Sequence, residues 1–94
     1  MNYPNFGLTD RVALVTGANR GIGYGVAQAL AHAGARVAVT ARSVAQLEPL
    51  VAAIRAEGGE AQAFGLDVRD VEQIGAVMVA VQRTFGRLDI LVNN

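Results

Sequence analysis

The chain is 94 residues long, 52% hydrophobic and 17% charged, which suffices for one small globular domain and leaves no room for a second. Eight basic residues balance eight acidic ones along the chain, so there is no field for gripping nucleic acid or an anionic membrane. Cysteine is absent, which excludes a disulfide framework and cysteine-based zinc sites and fits a reducing, cytoplasmic setting. No cation precedes Arg11, so no secretory leader is expected, and the longest wholly apolar run, residues 76–81, is far short of the roughly 20 residues that span a bilayer.

Residues 11–16, RVALVT, are a short apolar run with β-branched residues that stops at Gly17, the pattern of a strand buried on both faces. From Ile22 the apolar positions Val26, Ala27, Leu30 and Ala31 recur at helical spacing up to Gly34, which reads as a C-terminal cap. Residues 36–41, RVAVTA, repeat the buried-strand pattern. Ser43 and Gln46 then form a Ser-x-x-Gln capping signal ahead of the helical positions Leu47, Leu50, Val51 and Ile54. Gly58 and Gly59 break this second helix, and residues 60–66 form a third strand, more polar, as suits a sheet edge. Asp70 with Gln73 opens a third helix whose stripe is Ile74, Val77, Met78, Val81 and Phe85. Gly86 stops it, and residues 88–92 make a fourth strand.

Strands alternating with crossover-length helices predict an α/β, Rossmann-type doubly wound parallel sheet with strand order 3-2-1-4. Helices one and two would cover one face and helix three alone the other, leaving half of that second face bare, with apolar side chains of strands one and four and an unpaired edge exposed. A chain of this size buries only about 60 to 65% of its unfolded surface. The expectation is therefore that residues 1–94 are the dinucleotide-binding N-terminal part of a single domain, cut after strand four, with a surface tail before Thr9.

Gly17, Gly21 and Gly23 follow a strand directly and lead into a helix, the context that gives a glycine pattern meaning. Gly17 allows a sharp turn, and Gly21 and Gly23 carry no side chain to block a diphosphate or the packing of helix on strand. The helix start then offers free N–H groups and a positive dipole end to the phosphates. A triphosphatase loop would need Gly-Lys-Ser/Thr, which Ile22-Gly23-Tyr24 does not supply. At the end of strand two, where an acid would accept from a ribose 2′-hydroxyl, stand Thr40, Ala41, Arg42 and Ser43. Arg42, joined by Arg20 from the glycine loop, is suited to a 2′-phosphate, so the predicted cofactor is NADP(H) rather than NAD(H). Asp67 follows strand three at the carboxyl end of the sheet, where a ligand contact and a turn-forming acid are both possible; Asn93 and Asn94 after strand four are equally open to a turn role.

These residues resemble the short-chain dehydrogenases/reductases. Thr16 to Gly23, TGANRGIG, matches the family's TGxxxGIG loop, Asp67-Val68 its adenine-contacting position, and Leu91-Val92-Asn93-Asn94 the start of its NNAG motif. The resemblance implies a cofactor site formed by Gly17, Asn19, Arg20, Gly21, Ile22, Gly23, Arg42, Asp67, Val68 and Asn94. In it Asp67 takes the adenine amine, Val68 lines the ring and Asn94 lies near the cofactor ribose. It also implies an oxidoreductase acting on a small-molecule carbonyl or alcohol, assembled as a homodimer or homotetramer, with neither nucleic acid nor membrane as partner.

Such chemistry needs an acid or base at the substrate oxygen, which the family supplies as Ser and Tyr-x-x-x-Lys. This chain has no lysine, so no catalytic residue is assigned and the 94 residues are expected to bind without turnover. His32, late in helix one, is read as a surface or packing residue, Asp89 as a loop acid and Met78 as core. Two other classes fit the same fold: a stand-alone nucleotide-binding module, and an interaction protein without catalysis.

Overall fold

A computed structural model describes residues 7–94. The chain runs β1 (Val12–Val15), α1 (Gly21–His32), β2 (Arg36–Ala41), a 3-10 turn (Val44–Leu47), α2 (Glu48–Ala56), β3 (Ala61–Gly65), α3 (Val71–Phe85) and β4 (Ile90–Val92). The four strands form one parallel sheet in the order β3-β2-β1-β4, as the alternating pattern predicts. Leu14 of β1 sits opposite Ala38 of β2 on one side and Leu91 of β4 on the other.

Successive side chains of a strand point to opposite faces, so each strand feeds two cores. Val15, Val37, Val39 and Ala41 meet Ala27 of α1 and Leu50 and Ile54 of α2. Val12, Leu14 and Ala38 meet Val77 and Val81 of α3, with Ile74, Met78 and Phe85 packed around them. The central strands are buried on both faces for this reason. β3 is the polar edge, with Gln62 and Gly65 exposed.

Three expectations are corrected. Strand one is not left bare, because α3 lies over it: Val12 and Val15 are 0% exposed and Leu14 1%. The exposed apolar side chain is on β4, where Leu91 keeps 52% of its surface. Leu8 is no part of a surface tail, since its N–H donates to the Ala33 carbonyl at 3.3 Å and its side chain packs on the α1/α2 core; residues 1–6 lie outside the described residues. The Ser43 side chain caps nothing, and residues 44–47 form a 3-10 turn before α2 starts at Glu48 with Pro49 in its first turn. Proline needs no N–H partner there, which makes this the natural start of the helix. Gln46, freed from capping, accepts from Asn19 Nδ2 at 3.4 Å.

The other helix ends follow the sequence. Gly34 takes φ +107°, with its N–H on the Ala31 carbonyl and that of Ala35 on the Leu30 carbonyl, both within 3.1 Å, a Schellman end. Asp70 Oδ1 accepts from the N–H groups of Glu72 and Gln73 at 3.0 and 3.3 Å, and Gly86 closes α3 in the left-handed conformation. Leu50 is 0% exposed at the centre of the α1/α2 core. Leu50→Ala is expected to cost about 2 to 5 kcal/mol, read from the urea midpoint, a large share of the roughly 5 to 15 kcal/mol that holds a domain folded.

Candidate functional site

The loop between β1 and α1 is held from both sides by the carboxyl ends of neighbouring strands. The Thr16 N–H donates to the Val92 carbonyl at 3.0 Å and the Ala18 N–H to the Thr40 carbonyl at 2.9 Å. Gly17 and Gly21 have φ of +59° and +62°, the left-handed region that a side chain disfavours. Gly23 is required for a different reason: a Cβ there would run into the Gly17 carbonyl oxygen and lie 2.7 Å from Asn94 Nδ2. Asn94 closes the loop, donating from its backbone N–H to Thr16 Oγ1 at 3.0 Å and from Nδ2 to the Gly17 carbonyl at 3.1 Å.

This packing leaves the start of α1 open. Arg20 occupies the N-cap position in extended backbone with no side-chain cap, and the first turn has no acid to offset the helix dipole. Ile22 in that turn is 78% exposed. Beside the loop a cleft of about 350 Å³ is lined by Gly17, Asn19 and Asn94 on one side. Ala41 and Arg42 line it from the end of β2, and Leu66, Asp67, Val68 and Arg69 from the segment after β3. The structure thus brings Gly17, Asn19, Arg42, Asp67, Val68 and Asn94 together in one cleft, while Arg20, Gly21, Ile22 and Gly23 lie outside its lining, at the start of α1.

Of the lining residues that sequence reasoning did not assign to the site, Ala41, Leu66 and Arg69, the charged one is Arg69. It grips Asp67 with Nε on Oδ1 at 3.0 Å and Nη2 on Oδ2 at 2.9 Å, and its backbone N–H adds a third bond to Oδ1 at 3.0 Å. The Asp-x-Arg spacing just after a strand was the available signal. The Arg69 side chain and then its backbone N–H, helped by the charges of Arg69 and Arg42, hold the Asp67 carboxyl down at about 2.

Several side chains are elsewhere. His32 meets Glu57 Oε2 at 2.5 Å near the C-terminal end of α1, outside the cleft's lining. Tyr24 packs on the α1/α2 core. Asp89 does more than a loop acid: Arg87 grips both its oxygens at 2.8 Å, and Oδ2 also accepts the Val12 N–H at 2.9 Å. These bonds hold its carboxyl below the usual range, the Arg87 side chain contributing most. Among the described residues no group of side chains is arranged to hold a metal ion, and no helix is long and apolar enough to cross a membrane.

The sequence profile of the short chain dehydrogenases matches residues 11–94. The chain belongs to this family. This short-chain dehydrogenase segment pairs the TGANRGIG loop with a β3-β2-β1-β4 sheet. It is 51% identical over 87 residues to galactitol 2-dehydrogenase of Agrobacterium fabrum, covering 93% of this chain and 33% of that protein. Against the 2,3-dihydro-2,3-dihydroxybenzoate dehydrogenase of Bacillus subtilis the identity is 41% over 87 residues, with the same 93% and 33% covered. Among solved structures, a metagenomic short-chain oxidoreductase in complex with NADP superposes with a TM-score of 0.88 at 45% identity, over 93% of this chain and 39% of the other. A dehydrogenase/reductase of Sinorhizobium meliloti 1021 gives 0.91 at 40% identity, over 96% and 36%. The chain spans about a third of the length of the curated relatives it matches.

Two measurements probe the site. Gly23→Ala is expected to abolish dinucleotide binding in calorimetric titration while the far-ultraviolet circular dichroism keeps its α/β form, because the added methyl drives α1 off Gly17 and Asn94. Asp67 is expected to titrate near 2, below its ordinary 3.8, in a carbon-13 carboxyl titration. A carboxyl lowered on folding contributes stability above its unfolded pKa, so this contribution is lost as pH falls from about 4 through about 2. Arg69→Leu should shrink that loss and move Asp67 part of the way back towards its ordinary value, because the backbone N–H of residue 69 and the charge of Arg42 still act on it.

Proposed function

We propose that this short-chain dehydrogenase segment binds NADP(H) in preference to NAD(H), as the cofactor-binding part of an oxidoreductase acting on a carbonyl/alcohol pair. The observation that carries the proposal is the cleft in which the glycine loop faces Arg42 at the end of β2, with no carboxylate at that strand end. A 2′-hydroxyl is normally read there by an acid; a guanidinium offers a planar fork of donors matched to a phosphate. The solved relative in complex with NADP supports the same choice.

The residues present fit the dinucleotide. Gly21 and Gly23 keep the approach to the α1 N-terminus clear, where Asn19, Arg20, Gly21 and Ile22 would meet the diphosphate through main-chain N–H groups and the helix dipole. Arg42, with Arg20 nearer the helix start, would hold the 2′-phosphate. Asp67 would take the adenine amine, Val68 would line the ring and Asn94 would stand near the ribose, while Gly17 gives the loop its turn. When bound, the nicotinamide supplies or accepts the hydride. The chain's own part is to bind and orient, since the family's Tyr-x-x-x-Lys cannot occur among 94 residues that include no lysine. The length of the relatives supports reading these residues as one portion of a longer domain, and the family resemblance extends the proposal to a cytoplasmic homodimer or homotetramer with a small-molecule substrate.

Arg42→Ala is expected to weaken NADP binding roughly 10- to 100-fold, the worth of a charge-assisted hydrogen bond, and to leave NAD binding nearly unchanged. An equal loss for both dinucleotides would sink the 2′-phosphate role. Mixed with NADPH and a panel of carbonyl compounds, the 94-residue chain should oxidise none of the cofactor above background, and turnover would refute the assignment of binding alone.

A further inference from the structure

The NADP(H) reading places phosphates on two separate elements. The diphosphate goes to the glycine loop after β1, and the 2′-phosphate to Arg42 in the turn after β2. One ribose joins the two groups in the ligand, so both are met in full only where the two turns keep a fixed spacing.

Three hydrogen bonds tie these turns together. The Ala18 N–H donates to the Thr40 carbonyl at 2.9 Å, the main-chain part of the tie. Thr40 adds its side chain, whose Oγ1 donates to the Val15 carbonyl at the end of β1, at 3.3 Å. The residue is 0% exposed, at a position where packing alone asks only for an apolar side chain of that shape. Beyond Arg42, Gln46 Oε1 accepts from Asn19 Nδ2 of the loop at 3.4 Å. Gln46 is itself anchored, with its N–H on the Ser43 carbonyl at 3.2 Å and the next residue, Leu47, 0% exposed in the core. Arg42 thus stands between two residues that each reach across to the loop. We propose that Thr40 and Gln46 are positioning residues that brace the Arg42 turn against the glycine loop. By fixing that spacing they set how strongly a 2′-phosphorylated dinucleotide is preferred over the unphosphorylated one.

The ligand acts as a bivalent one. Once its diphosphate is seated, the 2′-phosphate meets Arg42 at an effective concentration set by how narrowly the spacing is held. A loose turn lowers that concentration and adds the cost of ordering the turn on binding. NAD(H) has no 2′-phosphate, engages the loop alone and is indifferent to the brace. The inference rests on the NADP(H) reading above, with Arg42 at the 2′-phosphate.

Calorimetric titration of the parent, Gln46→Met, Thr40→Val and Thr40→Ser with NADP and with NAD tests it. An NMR titration with adenosine 2′-monophosphate, which carries the 2′-phosphate without the diphosphate, runs beside it. Gln46→Met and Thr40→Val are each expected to weaken NADP roughly three- to tenfold, the worth of one hydrogen bond, and to leave NAD and the monophosphate unchanged. Thr40→Ser, which restores the hydroxyl, should stay close to the parent. Gln46 is exposed, so its replacement leaves the core untouched; were Thr40→Val to lose the fold by circular dichroism, Gln46→Met decides alone. A parent-like preference for NADP in the folded variants overturns the brace while leaving the NADP(H) reading intact. So does an equal loss for NAD, which marks damage to the loop itself, or a matching loss for the monophosphate, which marks direct contact with the phosphate. A parent that binds NAD and NADP equally overturns the NADP(H) reading and this inference with it.

Discussion

The carboxyl end of the sheet depends on one close approach, that of the first turn of α1 to the loop beneath it. No atom larger than hydrogen fits between Gly23 and the Gly17 carbonyl, so helix and loop are pressed together, and the amide of Asn94 fills the remaining corner. Were the helix one methyl further out, the Gly17 carbonyl would lose its tight seat against α1. The open helix start would also no longer sit beside the cleft formed by the ends of β2 and β3. Steric exclusion between Gly23 and the Gly17 carbonyl sets how closely the helix start stands to the ends of β2 and β3.

The two-layered core holds that geometry. Strand residues alternate between a face packed by α1 and α2 and a face packed by α3, so the carboxyl ends of the strands are carried by groups with no freedom to shift. A thin sheet with one loose face would let the loop move with its strand. Here α3 reaches over β1, and Leu14 is as well covered on that side as Val15 is on the other.

Much of this was legible in the sequence because periodicity and glycine placement are local signals. The buried runs around Val12 and Val37, the α3 stripe from Ile74 to Phe85 and the ends at Gly34 and Gly86 all stand where the pattern put them. The cover over β1 was misjudged because counting helices per face ignores how far a 15-residue helix reaches across a sheet. The Ser43-x-x-Gln46 signal failed because Pro49 offered a better helix start two residues beyond Leu47 and Gln46 found a partner in Asn19. Arg69 escaped notice because an exposed arginine has no period. Only the fold shows that its fork closes on the carboxylate two residues earlier.

β4 has only three residues, Ile90, Leu91 and Val92, all apolar, so hydrophobicity cannot tell one register against β1 from the next. Polar groups at its two ends can. At one end Asp89 and Val12 exchange a main-chain bond and a side-chain bond, both 2.9 Å; at the other Thr16 donates its N–H to Val92 and accepts from Asn94 through its hydroxyl. A slip by one residue would break both ends together and turn Leu91 to the opposite face. The strand is aligned like a short ruler pinned at both tips, and its alignment delivers Asn94 to the glycine loop.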